Sequence, residues 1–222
     1  MAIARWDRAL AWAVGLLLLA CNGDGTSPPG PPTDLEKSGG DAQNWYFNNP
    51  LPTPLSVTAI DLHGRPVPGV VITWSVVPGI GGAVSPLQST TNASGVATTT
   101  DSVGSSTQQT VNATFTGLPA PVSFNEFATS PPTTVGVSVT NFAFTPRDTI
   151  VQAGGTVTWT WNSGTTQHNV TYTGGPTPLP SNSPTQDASG PTFSTTFTTV
   201  GTYTYHCTIH PTTMSGSVTV VH

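Results

Sequence analysis

The sequence predicts an all-β protein made of two Greek-key β-sandwich domains. Short runs rich in valine and threonine alternate apolar and polar residues, and glycine, proline, asparagine and serine separate them. This pattern is typical of strands joined by tight turns. The 222 residues include 23 glycines and 22 prolines, and the chain beyond its N-terminal segment shows no helical period. That length is sufficient for two domains of ordinary size.

The low charge of the chain excludes one class of partner. Charged residues make up only 7% of the sequence, and the formal net charge is -5 without clustering. A basic stripe that could bind nucleic acid is therefore missing from the sequence, as is an acidic tail. We expect no nucleic-acid partner.

The N-terminal segment has the pattern of a processing signal. Arg5 and Arg8 precede an apolar run of twelve residues, 9–20, which is too short to cross a bilayer. The run ends in Leu18-Leu19-Ala20-Cys21. This ending resembles the bacterial lipoprotein signal, in which the cysteine is lipidated and becomes the first residue of the mature protein. We therefore predict a lipoprotein signal peptide over residues 1–20.

The resemblance implies an exported protein held on the membrane by lipid on Cys21. It would be anchored to the bacterial cell envelope and face the periplasm or the exterior. Asn22 follows the cysteine in place of the aspartate associated with inner-membrane retention, which slightly favours the outer membrane. An ordinary secretory signal with an incidental cysteine is the alternative. Residues 21–33 are rich in glycine and proline and lack periodic apolar residues, so we predict a flexible tether there.

Residues 34–130 are predicted to form the first domain, with strands at 55–60, 70–77, 95–100, 110–115 and 122–127. Its turn and strand motifs are Ser38-Gly-Gly-Asp-Ala-Gln, Asp61-x-x-Gly64-x-Pro66-Val67-x-Gly69-Val70, Thr73-Trp74, Thr91-x-Ala93-Ser94-Gly95-x-Ala97 and Val111-Asn-Ala-Thr. The segment resembles the bacterial immunoglobulin-like domains of the invasin and intimin type. The resemblance implies a sandwich that serves as a spacer or an adhesin. We interpret His63 as an exposed turn residue.

A short proline-containing linker leads to the second domain, residues 133–222. Apolar alternation predicts strands near 135–139, 142–144, 150–151, 157–161, 193–199, 201–207 and 215–221. Seven or eight strands in about 90 residues are typical of a small Greek-key sandwich. Only residues 173–191 interrupt the pattern, and their proline, glycine, serine and asparagine content predicts a long connection across one end.

The second domain contains the sulfur and imidazole groups of a metal site. Cys207, His210 and Met214 fall within eight residues, and His168 lies upstream. A thiolate, two imidazoles and a weak thioether select copper for electron transfer. If the signal is removed and Cys21 carries lipid, no cysteine remains to pair with Cys207. An unpaired thiol in an oxidising compartment is best explained by a bound metal.

The alternation of strand residues brings both sulfur atoms to one end of the sandwich. Tyr203, Tyr205 and Cys207 share one face of their strand, whereas His206 points outward. Met214 shares its face with the apolar residues 218 and 220 of the last strand. The loop between these strands carries His210, stiffened by the proline that follows.

The second domain resembles the cupredoxins, the plastocyanin and azurin group of blue copper proteins. The motifs that carry the resemblance are Phe142-x-Phe144-x-Pro146, Ile150-x-x-x-Gly154-x-Thr156-Val157-x-Trp159, His168-Asn169-Val170, Gly201-x-Tyr203-x-Tyr205-x-Cys207 and Gly216-x-Val218-x-Val220.

This resemblance implies one type 1 copper ion with His168, Cys207 and His210 as equatorial ligands and Met214 as the axial ligand. Asn169 would lie outside the ligands, with its side chain bonded across to the Cys207 loop. Three residues separate His210 from Met214, whereas plastocyanins have four and amicyanin-like loops two. The length lies within the family's range, and it leaves the reduction potential open.

The function implied is the transfer of single electrons between redox partner proteins, without catalysis and without a small-molecule substrate. We expect electrons to pass through the edge of His210. The surrounding Thr208, Ile209, Pro211 and Thr212 carry no charge, which predicts docking with little salt dependence.

Three other classes of protein are alternatives to an electron carrier. A multicopper enzyme needs further histidine clusters, and the whole chain has five histidines, of which we interpret His206 and His222 as solvent residues. Copper storage or delivery usually involves several methionines or exposed cysteines. A structural or adhesive lipoprotein with a redox-silent cupredoxin fold would not depend on Cys207.

Overall fold

The computed structural model of the chain describes residues 28–79 and 81–222. The predicted signal peptide, the lipidation site Cys21 and the first part of the tether lie outside these ranges. Within them the chain forms strands, turns and loops, and the all-β prediction is confirmed. No helix in the described part has the length and apolar character needed to cross a membrane.

The first nine strands form two facing sheets around one core. One sheet has the order β1-β3-β7-β5 and the other the order β2-β9-β8-β4-β6. Apolar side chains from both inner faces fill the space between them, and the rings of Trp74 and Phe124 lie 6.0 Å apart at its centre. The strands are β1 (Asp34–Gly39), β2 (Asn44–Tyr46), β3 (Leu55–Ile60), β4 (Val71–Val76), β5 (Ala83–Ser85), β6 (Gln88–Thr90), β7 (Val96–Ser102), β8 (Gln108–Thr114) and β9 (Val122–Thr129).

The last eight strands form a second pair of sheets, in the orders β11-β10-β13-β15 and β12-β17-β16-β14. Two pairs, β10–β13 and β12–β17, are parallel, and the other pairs of these sheets are antiparallel. Aromatic rings of Trp159, Tyr205 and Phe197 lie in the core. The strands are β10 (Thr134–Thr140), β11 (Ala143–Thr145), β12 (Asp148–Gln152), β13 (Gly155–Trp161), β14 (Thr171–Gly174), β15 (Phe193–Phe197), β16 (Gly201–His206) and β17 (Ser215–Val221).

Several short strands were not predicted from the sequence. Strands β2, β5 and β6 have three residues each, too few for a detectable alternation. Strand β1 is polar and mostly exposed, so it has no apolar stripe. Strand β14 overlaps the beginning of the segment expected to be a connection, and its antiparallel pairing with β16 contains a register shift.

The two domains touch at a small contact formed by Asn49 and His222. The side-chain amide of Asn49 donates to the carbonyl of His222 (3.2 Å) and accepts from its N–H (3.0 Å). Asn49 is buried, and Trp45 and Val200 line a cavity beside it. The contact lies beyond the last residue of β17, at the end of the second domain opposite to Met214.

The chain approaches the first domain at the end opposite to this contact. The N–H of Gly30 donates to Asp61 (2.8 Å), and that of Thr33 donates to the carbonyl of Ile60 (2.8 Å). Asp61 follows the end of β3, whereas Asn49 precedes its beginning. The N-terminal approach and the contact with the second domain are therefore separated by the length of β3.

Candidate metal centre

Two strand ends and one loop bring three ligand-type side chains together. Cys207 directly follows β16, His210 lies on the loop from β16 to β17, and His168 precedes β14. The Sγ of Cys207 lies 3.7 Å from His168 Nδ1 and 3.8 Å from His210 Nδ1, and the two nitrogens are 3.2 Å apart. Among the histidine, cysteine, aspartate and glutamate side chains of the described residues, these three form a group that is close enough to share one metal ion.

The spacing of these three atoms fits one metal ion. A point equidistant from them lies about 2.1 Å from each, within the range of about 2.0–2.3 Å for nitrogen and sulfur bound to a first-row metal such as zinc. His168 and Cys207 are fully buried, and His210 is half-buried. Cys207 is a free thiol, so its sulfur is available as a ligand.

Backbone hydrogen bonds close the loop that joins Cys207 to Met214. Cys207 N–H donates to the carbonyl of Met214 (3.0 Å), and Met214 N–H donates to the carbonyl of His210 (3.0 Å). The side chain of Met214 is 1% exposed and belongs to the same apolar core as Cys207. The loop thus places the thioether-bearing residue inside the domain next to the strand end that carries the thiol.

Asn169 links the histidine side of the site to the cysteine loop. Its Oδ1 accepts from the N–H of Thr208 (2.9 Å), and its Nδ2 donates to the Thr208 hydroxyl (2.7 Å). Asn169 is 6% exposed. These two bonds are largely shielded from solvent. Since Asn169 follows His168 and Thr208 follows Cys207, the bonds couple the positions of His168 and Cys207.

Burial favours the metal-binding form of His168. Desolvation lowers the pKa of His168, and the nearby His210 lowers it further. Both effects disfavour the charged ring. Because a metal binds the neutral imidazole, less work is needed to remove a competing proton.

Phe142 packs against the half-buried ligand-type residue His210 at the surface. The two rings meet edge-to-face with centroids 4.7 Å apart, and Phe142 remains 54% exposed. Its φ is 65°, an unusual value for a bulky residue. The sequence pattern places Phe142 only in a strand motif and does not predict this contact. The left-handed backbone that turns the ring towards His210 leaves no signal in the spacing of apolar residues.

The remaining histidines of the described ranges lie outside the site. His63 and His222 are exposed, and His206 is half-buried on the outward face of β16. The buried residues of β16 are Tyr203 and Tyr205, as the alternation predicts. Ile209, next to His210, is exposed, so the surface near this ligand-type residue is apolar.

Comparison with known proteins assigns the second domain to a family. Residues 132–221 match the copper binding proteins of the plastocyanin/azurin family. Similar solved structures include a purple cupredoxin from Nitrosopumilus maritimus, 28% identical over 39% of this chain and 99% of that one, with a TM-score of 0.35. The plastocyanin of Dryopteris crassirhizoma is 30% identical over 39% of this chain and 99% of that one, with a TM-score of 0.34.

Another solved structure is similar to the N-terminal part of the chain. The D00–D0 domain of intimin is 17% identical over 48% of this chain and 52% of that one, with a TM-score of 0.38. No curated protein matches the chain at a significant level. The second domain carries both the family match and the His168–Cys207–His210 group. With this domain, the chain belongs to the plastocyanin/azurin family of copper-binding proteins.

Proposed function

We propose that this protein carries single electrons between redox partner proteins by means of one type 1 copper ion. His168, Cys207 and His210 would hold the ion, and Met214 would contribute a weak thioether ligand. The observation that carries the proposal is the triangle of two nitrogens and one sulfur, whose centre lies about 2.1 Å from each atom. Copper bound by such a ligand set alternates between Cu(I) and Cu(II).

The surroundings of the site favour electron transfer over catalysis. Cys207, His168 and Met214 are buried, and hydrogen bonds fix the loops that carry them. A fixed ligand geometry changes little on oxidation or reduction, so little reorganisation slows the electron. The burial of Cys207, His168 and Met214 also disfavours direct access of a small-molecule substrate to these ligands. The protein is accordingly proposed not to be an enzyme.

The half-buried His210 is the proposed exit for the electron. Its exposed neighbours Ile209, Pro211 and Phe142 are apolar. Arg147 lines a cavity with Phe142 and Thr212 and places one charge at the edge of this surface. A partner would dock there through apolar contact. Because the residues next to His210 in the sequence carry no charge, electrostatic steering should be weak, and the transfer rate is expected to depend little on salt.

The proposed cell location rests on the N-terminal sequence. The protein is proposed to be exported and held on the bacterial cell envelope, preferably the outer membrane, by lipid on Cys21, facing the periplasm or the exterior. The positive flank and the short apolar run that ends in Leu18-Leu19-Ala20-Cys21 support this proposal. Mass spectrometry of the mature N-terminus tests it, since an unmodified Cys21 would contradict lipid anchoring.

Copper loading tests the metal site directly. The protein lacking its first 21 residues is expected to bind one Cu(II) and to show an intense visible thiolate-to-copper band. Cys207→Ser removes the thiolate and should abolish the band, whereas Thr202→Ser, an exposed change on the same strand, should retain it.

The outcome of loading also separates the other classes of function. Uptake of exchangeable Cu(I) without a blue Cu(II) form would indicate copper delivery. The absence of any copper binding by the folded protein would leave a structural role.

A further inference from the structure

The loop between β14 and β15 runs back along the histidine side of the metal site. His168 N–H donates to the carbonyl of Gln186 (2.9 Å), and Gln186 N–H donates to the carbonyl of His168 (3.0 Å). That carbonyl also accepts from Trp161 Nε1 (3.1 Å). The backbone of His168 is therefore bound on both sides, by the core and by the loop.

Side chains of the same loop continue the pairing. Ser183 N–H donates to the carbonyl of Val170 (3.0 Å), and Val170 N–H donates back to the Ser183 hydroxyl (2.8 Å). Tyr172 N–H donates to Asn182 Oδ1 (2.9 Å). Because β14 is the edge strand of its sheet, these bonds occupy backbone groups that a neighbouring strand would otherwise satisfy.

One further bond joins this loop to the cysteine side of the site. The amide Nδ2 of Asn169 donates to the hydroxyl of Thr185 (2.9 Å) as well as to that of Thr208 (2.7 Å). A single amide nitrogen thus connects residue 185, next to Gln186, with the residue that follows Cys207. The chain of contacts runs from the loop through Asn169 to the thiol-bearing strand end.

We infer that residues 182–186, here called the strap, position His168 and Asn169 and so hold the metal ligands in one geometry. This inference rests on the proposed copper function of the site. A connection of this composition is ordinarily mobile at a surface, whereas the strap makes six hydrogen bonds to residues 168–172. Partners outside the ligands commonly change metal affinity by about 10–100-fold when removed.

Thr185→Val tests the strap with little risk to the fold. Thr185 is exposed, and valine retains its shape while removing the hydroxyl that Asn169 contacts. We expect copper to be lost to a chelator about threefold to tenfold faster, with a shifted visible band. The melting temperature of the metal-free protein should change little. Thr185→Ser keeps the hydroxyl and should restore both readouts, and Thr177→Val serves as the matched control in the same loop.

A measurement without metal keeps the inference independent of copper. Amide hydrogen exchange of Thr208, whose N–H donates to Asn169, should accelerate several-fold in Thr185→Val and stay unchanged in Thr177→Val. Unchanged exchange, together with an unchanged band and copper-loss rate, would overturn the positioning role while leaving the copper function intact. If the unmodified protein formed no blue site, the proposed function would fail, and the exchange experiment would still decide whether the strap holds Asn169.

Discussion

At the scale of single residues, the contact between Phe142 and His210 joins backbone strain to the metal site. A bulky residue with φ near 65° costs on the order of 1–3 kcal/mol, and the ring remains 54% exposed. The free energy gained by burying Phe142 is therefore too small to offset the backbone strain. The stabilising contact at this position is the edge-to-face packing of Phe142 on His210, with ring centroids 4.7 Å apart. This contact restricts the half-buried ring of His210.

Phe142→Ala is expected to weaken metal retention without unfolding the protein. The substitution removes the lateral support of the His210 ring, so the rate of copper loss to a chelator should rise several-fold. Alanine keeps the Cβ and most of the backbone strain, and a ring that is 54% exposed loses little packing, so the free energy of unfolding should fall by about 1 kcal/mol or less. Ile209→Ala, an exposed change next to His210, should leave the rate near that of the unmodified protein. Equal rates in all three proteins would show that Phe142 gives His210 no support.

At the scale of strands, the first domain carries two buried carboxyl groups, one on each of its facing sheets. Glu126 of β9 is fully buried and accepts from the N–H of Gln43 (2.6 Å). Asp101 of β7 is held by the side-chain amide of Gln109, which lies opposite Glu126 in the β8–β9 ladder. Burial raises the pKa of Asp101 to about 6.

The buried Glu126 predicts a loss of stability as the pH rises. Burial raises the pKa of Glu126 from 4.5 to about 7, although the Gln43 hydrogen bond opposes this. Between these values the unfolded chain ionises while the folded domain keeps the proton, so unfolding becomes easier until the folded group ionises. Glu126→Gln keeps an acceptor for Gln43 and removes the titration. It should stabilise the first domain by about 2–3 kcal/mol at pH 8 and by little at pH 4.5.

Urea unfolding at these two pH values measures the effect, with hydrogen exchange of core amides to identify the domain. Glu36→Gln, on the exposed face of β1, is the matched control and should change neither value. A gain from Glu126→Gln that is the same at both pH values would show that ionisation is not its cause.

The strands differ in how far the sequence could predict them. The buried positions of β16 and β17 follow from alternation, which is why the strand end with Cys207 and the residue Met214 could be assigned to one pole. Alternation reports which face is apolar and nothing about polar contacts. The strap uses the side chains of Asn182, Ser183 and Thr185 in place of a regular ladder, so the same stretch was expected to be only a connection.

At the scale of the whole molecule, the contact between the domains could not be predicted from the sequence. It joins Asn49 to the backbone of His222, residues 173 positions apart that belong to separate repeating patterns. Because Asn49 bonds to the backbone of His222, the contact does not require a particular side chain at residue 222 and cannot be recognised from the residue type there. The sequence therefore indicated two domains but not the surfaces through which they touch.

Asn49→Ala is expected to loosen the orientation of the domains and leave the metal site unchanged. The change removes both bonds to His222, while the strands that carry Cys207 and Met214 keep their own pairing. Small-angle X-ray scattering should show a broader distribution of interatomic distances, and the visible copper band should keep its position. Asn44→Ala, an exposed change on β2, is the control. Scattering curves identical to that of the unmodified protein would show that the Asn49 bonds do not fix the orientation.

The ends through which the domains are joined determine where the metal ligands finally lie. Gly30 contacts the first domain at Asp61, and the contact between Asn49 and His222 lies at the other end of β3. Met214 lies at the end of β17 away from His222. Strands β3 and β17 mark these lengths, at about 20 Å each. The proposed copper ligands therefore lie at the end of the second domain far from its contact with the first domain. If the protein is anchored through its N-terminus as proposed, an electron acceptor has to reach the far end of the second domain.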